Sequence, residues 1–204
     1  MSIIRFTLAL TQLVIEGKKD MTRRLTTDRR QYEVGEKVAL AEAYGFIWRE
    51  LNAIPDKQIA YMRRLRSVLN VEHPSIIPAW ENKLFVRPEL MRYQIEIIGK
   101  RTEHLQDISD EDILREGVFH GMCSSRNIET GETGDYTWLD IKRKKLPNGH
   151  YHVNIKHNVH SNIRECFIEM INHICGKGTW EQNPEVYVYT FKLIDTYPDY
   201  IFTK

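Results

Sequence analysis

The chain has 204 residues, 42% hydrophobic and 28% charged, which is enough apolar material for one folded domain and too much for a disordered chain. Its 29 Lys and Arg against 28 Asp and Glu leave a net charge of +1, which excludes a uniformly basic nucleic-acid coat but not a local basic patch. No apolar run approaches the length of a membrane span, and Cys123, Cys166 and Cys175 form no CxxC pair, so neither a disulfide framework nor a cysteine zinc site is expected. The first fifteen residues carry Thr7, Thr11 and Gln12 and read as folded protein, not as a signal peptide. These features predict a soluble, cytoplasmic protein.

In chain order, Phe6, Leu10, Leu13 and Val14 fall on one helical face, and Gly17 supplies a left-handed stop. A basic stretch follows at 18–24, and after a turn at 32–36 comes a mostly buried strand at 37–42. Ile59, Met62, Leu65 and Leu69 predict a helix over 55–69, and Pro74 and Pro78 predict a loop over 71–82. The alternation in 91–99 predicts a strand with one face buried.

Ser109 followed by acidic residues opens a short helix that closes at Gly117. Asn148-Gly149 predicts a hairpin with flanks near 138–145 and 150–157. Ser161 or Asn162 caps an amphipathic helix that buries Ile163, Phe167, Met170, Ile171 and Ile174 and ends at Gly176, and 185–193 is a strand. This order is not a regular βαβ alternation. It predicts an α+β fold around a mainly antiparallel sheet, in a single domain over 1–204 with insertions at 45–80 and 121–160.

Three segments carry a resemblance. The first is Gly17-Lys18-Lys19-Asp20-Met21-Thr22-Arg23-Arg24, ahead of Tyr32-x-Val34-Gly35-Glu36-Lys37-Val38. The second, the most specific, runs from Glu103-His104-Leu105-Gln106-Asp107-Ile108 to Gly117. The third is Trp180-Glu181-x-Asn183-Pro184-x-Val186-x-Val188-Tyr189-x-Phe191. Together they resemble the ASCH domain family, particularly its phage- and prophage-borne members, over about 1–45, 80–118 and 163–194.

The resemblance implies a PUA-like fold, a small β-barrel with surrounding helices, here carrying an inserted hairpin. It also implies that RNA or a modified nucleoside or nucleotide binds in a cleft formed by 17–24 and 109–117, with Arg23 and Arg24 among the ligand contacts. Glu42, just after a buried strand, reaches into the cleft or is a strand-end charge. Tyr44, Trp48 and Trp80 are candidate stacking rings.

Some small members of the family remove the acetyl group from N(4)-acetylcytidine with a Lys, a Thr and a Glu. Their pattern falls on Lys19, Thr22 and Glu116 as the implied catalytic residues, with the family's arginine on Arg24. This chain departs from them in carrying Asp20 where a threonine is usual, and in being about twice as long. In that chemistry Thr22 attacks the acyl carbonyl after a deprotonated Lys19 takes its proton, and Glu116 orients the lysine or manages a proton.

Three readings therefore stand open: a binding module for RNA or nucleosides, a Lys/Thr/Glu amidohydrolase, and a phage-type accessory protein with a vestigial cleft. Arg63, Arg64 and Arg66 form a candidate phosphate-facing surface, and the cluster at 142–145 another. His150, His152, His157 and His160 crowd one segment, but no carboxylate or cysteine spacing accompanies them, so no metal or cofactor is expected. Trp180, Tyr187 and Tyr189 are expected to pack the sheet.

Overall fold

The structure is a computed structural model that describes residues 1–121, 134–145 and 151–196. The fold is mixed α and β with mostly antiparallel pairing. Strands β1 (Ser2–Ile4), β2 (Met21–Leu25), β3 (Lys37–Leu40), β4 (Tyr93–His104) and β8 (Glu185–Thr196) are hydrogen-bonded in the order β1-β3-β4-β8-β2. Strands β5 (Phe119–His120), β6 (Tyr136–Lys145) and β7 (Tyr151–His160) form a separate sheet in that order. The helices are α1 (Leu8–Ile15), α2 (Tyr44–Glu50), α3 (Pro55–Leu69), α4 (Asp110–Glu116), α5 (Ile163–Cys175) and α6 (Thr179–Gln182). No helix among the described residues is long and apolar enough to cross a membrane.

The chain divides into two compact units. One comprises Met1–Phe6, Gly35–Ile97 and, among the described residues, 192–196. In it β1 runs parallel to β3, Ser2 beside Val38 and Ile4 beside Leu40, and β3 runs antiparallel to the start of β4, Val38 opposite Ile95. Ile3, Ala39, Tyr44, Ile47, Leu51, Tyr61, Leu65, Leu90 and Met91 make its core, with Trp48 packed on Trp80 at 5.9 Å between ring centroids.

Gly45 sits against that pair, where an added Cβ would come within 2.7 Å of the Trp80 indole nitrogen and 2.8 Å of its carbonyl oxygen, so only glycine fits the contact. Helix α3 starts at Pro55 and ends at Asn70, a left-handed C-cap, as expected from the sequence. Its buried stripe is Tyr61 and Leu65, whereas Ile59 is exposed. The stretch 71–82 contains two single 3-10 turns, each begun by one of the prolines read as breakers.

The other unit comprises Thr7–Val34 and Ile98–Phe191. Thr7 caps α1 by accepting from the Leu10 N–H, and the helix buries Leu10, Leu13 and Val14 as the periodicity indicates. Ser109 accepts from the Asp112 N–H, and α4 ends at Gly117 with φ of 116°. An added Cβ there would also come within 2.5 Å of Leu10.

Asn162 caps α5, which buries Ile163, Cys166, Phe167 and Met170. Ile171 is half-buried and Ile174 is exposed, so the apolar stripe ends a turn earlier than the sequence indicates. Strands β6 and β7 pair over ten positions, from Tyr136 opposite His160 to Lys145 opposite Tyr151. The hairpin tip at 146–150, with His150 and the Asn-Gly pair, lies outside the described residues, as does Cys123.

Candidate functional site

The basic stretch 18–24 is not a loop throughout. From Met21 it is strand β2, paired antiparallel to β8 with Thr22 opposite Tyr189 and Arg23 opposite Val188. Side chains alternate along a strand, so Met21 and Arg23 share one face while Thr22 and Arg24 take the other. Both faces are well covered: Met21, Thr22 and Arg23 are all buried.

On the Arg23 face the side chains form a network of charges. Lys19, 2% exposed, donates from Nζ to three acceptors: the Met21 carbonyl at 2.6 Å, the Glu116 carbonyl at 2.6 Å and Glu116 Oε2 at 2.9 Å. Glu116, 6% exposed, accepts from Arg23 Nη1 on its other oxygen at 3.0 Å. Arg23 also donates to Glu103 Oε1 (2.8 and 2.5 Å) and to Asp112 Oδ2 (3.0 Å). Arg101 joins Glu103 and Asp112. Arg115 grips Asp20 with two bonds, of 2.8 and 3.0 Å, and raises a rim above the buried part.

Lys19 thus ties the start of β2 to the C-terminal end of α4, where carbonyls have no helical partner and the helix dipole favours a cation. Its charge is nonetheless taken out of water. Burial pushes the lysine below its ordinary value, and Glu116 opposes that shift without cancelling it. Arg23 is affected oppositely: burial disfavours its charge, but Glu116, Glu103 and Asp112 hold its pKa above the usual value. Burial also works against the Asp112 carboxylate, yet Arg23 and Arg101 keep it below the usual range.

The structure therefore brings together Lys19 and Glu116, 97 residues apart in sequence, and adds Arg23 to them. It places Thr22 and Arg24 on the opposite face, in register with Tyr189 and Tyr187. There Tyr32 meets Tyr189 edge-on at 5.4 Å, and the Lys100 ammonium lies 4.7 Å from the centre of the Tyr187 ring while pairing with Glu33. Tyr189 is buried and Tyr187 half-buried; Trp180, also half-buried, packs edge-on against Phe167.

Glu42 and Tyr44 belong to the other unit and are both buried. Glu42 is held by Arg92 (3.0 and 2.5 Å), and Tyr44, read as a stacking ring, is a core residue whose hydroxyl accepts the Arg87 N–H at 2.8 Å. Burial raises the Glu42 pKa, with Arg92 opposing, and pushes the nearby Tyr61 phenol well up. Trp80 is likewise a core ring. Arg63 and Arg66 are exposed and Arg64 half-buried on α3.

Among the described residues, no group of three or more His, Cys, Asp or Glu is placed to hold a metal ion. A concavity of about 430 Å³ opens where Leu25, Thr26 and Thr27 meet Cys175, Lys177, Thr179 and Glu185, and none of the expected site residues lines it.

Arg101, Glu103, Asp112, Arg115 and Arg92 were not named as site residues from the sequence, and Asp20 only as a departure from the family pattern. A local signal existed for some: Arg101 and Glu103 share a strand face by their spacing of two, and Asp112, Arg115 and Glu116 share a helix face. Nothing local pairs Glu42 with Arg92, 50 residues on.

No protein-family model, no curated protein and no solved structure matches the chain.

Proposed function

We propose that the chain is an ASCH-type domain of PUA-like, small-barrel fold that binds RNA or a modified nucleoside or nucleotide where 17–24 meets α4, without turning it over. The observation that supports this reading is the convergence of the three segments on which the resemblance rests. Lys19 and Asp20 meet Glu116 and Arg115, Arg23 meets Glu103 and Asp112, and β2 lies along β8. The buried Lys19–Glu116–Arg23 group is the frame. The half-exposed Asp20, Arg115 and Arg101 and the exposed Lys18 are the groups a ligand meets first, offering a carboxylate for base amino groups and cations for phosphate.

Binding is favoured over catalysis by the state of Lys19. Three acceptors around one nitrogen match the three protons of an ammonium and leave no lone pair to take a proton from Thr22. Thr22 also stands on the other face of β2. The amidohydrolase remains the second reading, because burial lowers the lysine pKa in the direction a general base requires.

One titration separates the readings. N(4)-acetylcytidine, cytidine and a short RNA are added to wild type and to Thr22→Ala, with affinity followed by calorimetry and the acyl-cytosine band by ultraviolet absorbance. Saturable binding by both proteins with an unchanged band is the expected result. Loss of the band with wild type alone establishes the amidohydrolase. Absence of both binding and turnover overturns both and leaves the accessory-protein reading.

A further inference from the structure

The β6–β7 hairpin concentrates positive charge. Over 139–145 and 151–157 there are five Lys and Arg and one Asp, a net +4 in a chain whose total is +1, so the remaining residues carry −3. The register assigns these charges to faces. Lys142 stands opposite Asn154, Lys144 opposite His152 and Asp140 opposite Lys156, so Lys142, Lys144, Lys156, His152 and Asn154 share one face. Ile141, Arg143, Val153 and Ile155 share the other.

The base of the first face is closed. Trp138 is buried and donates to Glu169 of α5 at 2.9 Å, and His173 of α5 lies 3.5 Å from Asp140. Beyond Asp140, Lys142, Lys144, His152, Asn154 and Lys156 are all exposed. Lys142 is 71% exposed, and its contact with Asp140 at 3.0 Å is a surface pair of the kind that contributes little and exchanges readily for a stronger anion.

We propose that this face is an arm that docks on B-form duplex DNA, in the major groove, independently of the nucleoside site. Four features choose the partner. The charge is cationic and clustered, which calls for a polyanion. A two-stranded ribbon is the β element that a B-form major groove admits, whereas the major groove of A-form RNA is too deep and narrow. The paired ladder from 140 to 145 spans about 17 Å, or about five base-pair steps. Beyond the buried Trp138 and Asp140, His152 is the one ring among the described residues of this face, so its outer part lacks the stacking platform that single strands require. Lysines there hold phosphates, and Asn154 and His152 sit between them, where base edges are read.

A bilayer surface fits less well. A ribbon lying with Val153 and Ile155 (44% and 50% exposed) against lipid turns its lysine face away from the headgroups.

The test is fluorescence anisotropy with a labelled duplex DNA of about two helical turns, between about 50 and 200 mM salt. Wild type is compared with the triple variants Lys142→Ala/Lys144→Ala/Lys156→Ala and Lys142→Arg/Lys144→Arg/Lys156→Arg. Circular dichroism confirms that each is folded. The alanine variant is expected to bind at least about tenfold more weakly, with a log–log salt slope reduced by about 2–3, and the arginine variant to retain wild-type binding. The alanine substitutions are expected to leave the binding of duplex RNA, single-stranded DNA and anionic phosphatidylserine vesicles within about twofold of wild type. The proposal is overturned if wild type does not bind duplex DNA, if the alanine variant matches wild type on the duplex, or if the alanine substitutions weaken RNA, single strands or vesicles as much as they weaken the duplex.

Discussion

Replacing Glu116 by Gln keeps the size of a buried side chain and removes its charge. In the native protein each carboxylate oxygen has its own cation, Lys19 on Oε2 and Arg23 on Oε1. A glutamine offers one oxygen and one NH2, so one of the two cations is left facing a donor. Arg23 keeps Glu103 and Asp112, whereas Lys19 loses its carboxylate partner and keeps the carbonyls of Met21 and Glu116. Removing one member of a buried ion pair costs about 3–5 kcal/mol, and that is the loss expected in urea denaturation followed by tryptophan fluorescence.

The pH dependence makes the prediction specific. Burial holds the folded pKa of Lys19 below its unfolded value, about 10.4. The unfolded chain therefore binds more protons between the two values, and stability rises as pH climbs through that window. Without Glu116 the folded value drops further and the window opens at lower pH. The gap between wild type and Glu116→Gln should accordingly narrow as pH climbs from neutral toward the unfolded value. A Lys19→Met/Glu116→Gln double variant should recover part of the loss, because no charge then remains buried without its partner. A cost below about 1 kcal/mol, or a gap that does not change with pH, refutes the account of Lys19 as a desolvated, Glu116-dependent ammonium.

Arg92→Met should destabilise by about 3–5 kcal/mol, since it strands Glu42 in the core. Burial already raises the Glu42 pKa, so the folded state takes up protons first and stability falls as pH rises through its window; losing Arg92 pushes that window upward, and denaturation at pH 5 and pH 8 should show the variant losing more over the interval than wild type. Asp20→Thr removes the half-exposed pair with Arg115 and should cost less than about 1 kcal/mol by thermal melting; a larger loss makes the rim a structural clasp. Under native alkylation with peptide mapping, the exposed Cys175 should react and Cys166, buried with its thiol pushed up to about 12, should not until the protein unfolds; early labelling of Cys166 contradicts its burial.

Elements whose signals are local were legible in the sequence. The cap at Ser109, the stop at Gly117, the span of α3 and the flanks of the hairpin all follow from residues within one or two turns of each other. What escaped depends on distant partners. β1 is three residues long and exists through its parallel pairing with β3, so it reads in sequence as a run-up to α1. α2 has no side-chain cap and no polar face to announce it.

The site divides in the same way. The residue types of Lys19, Thr22 and Glu116 were readable, and Glu116 does meet Lys19. The face on which Thr22 lies was not, because a spacing of three means the same side of a helix but opposite sides of a strand, and the choice between them is made by β8.

β2 is the last strand in its sheet, and a terminal strand presents unpaired backbone groups to any passing chain. Here one of those carbonyls, that of Met21, is occupied by Lys19, and the strand itself carries Arg23, whose charge is satisfied only by the acids of β4 and α4. A foreign strand arriving at this edge would have to displace an ammonium from its carbonyl and leave that ammonium buried beside the newcomer. The same lysine that fastens a helix to the sheet therefore also occupies a backbone acceptor that an incoming strand would need.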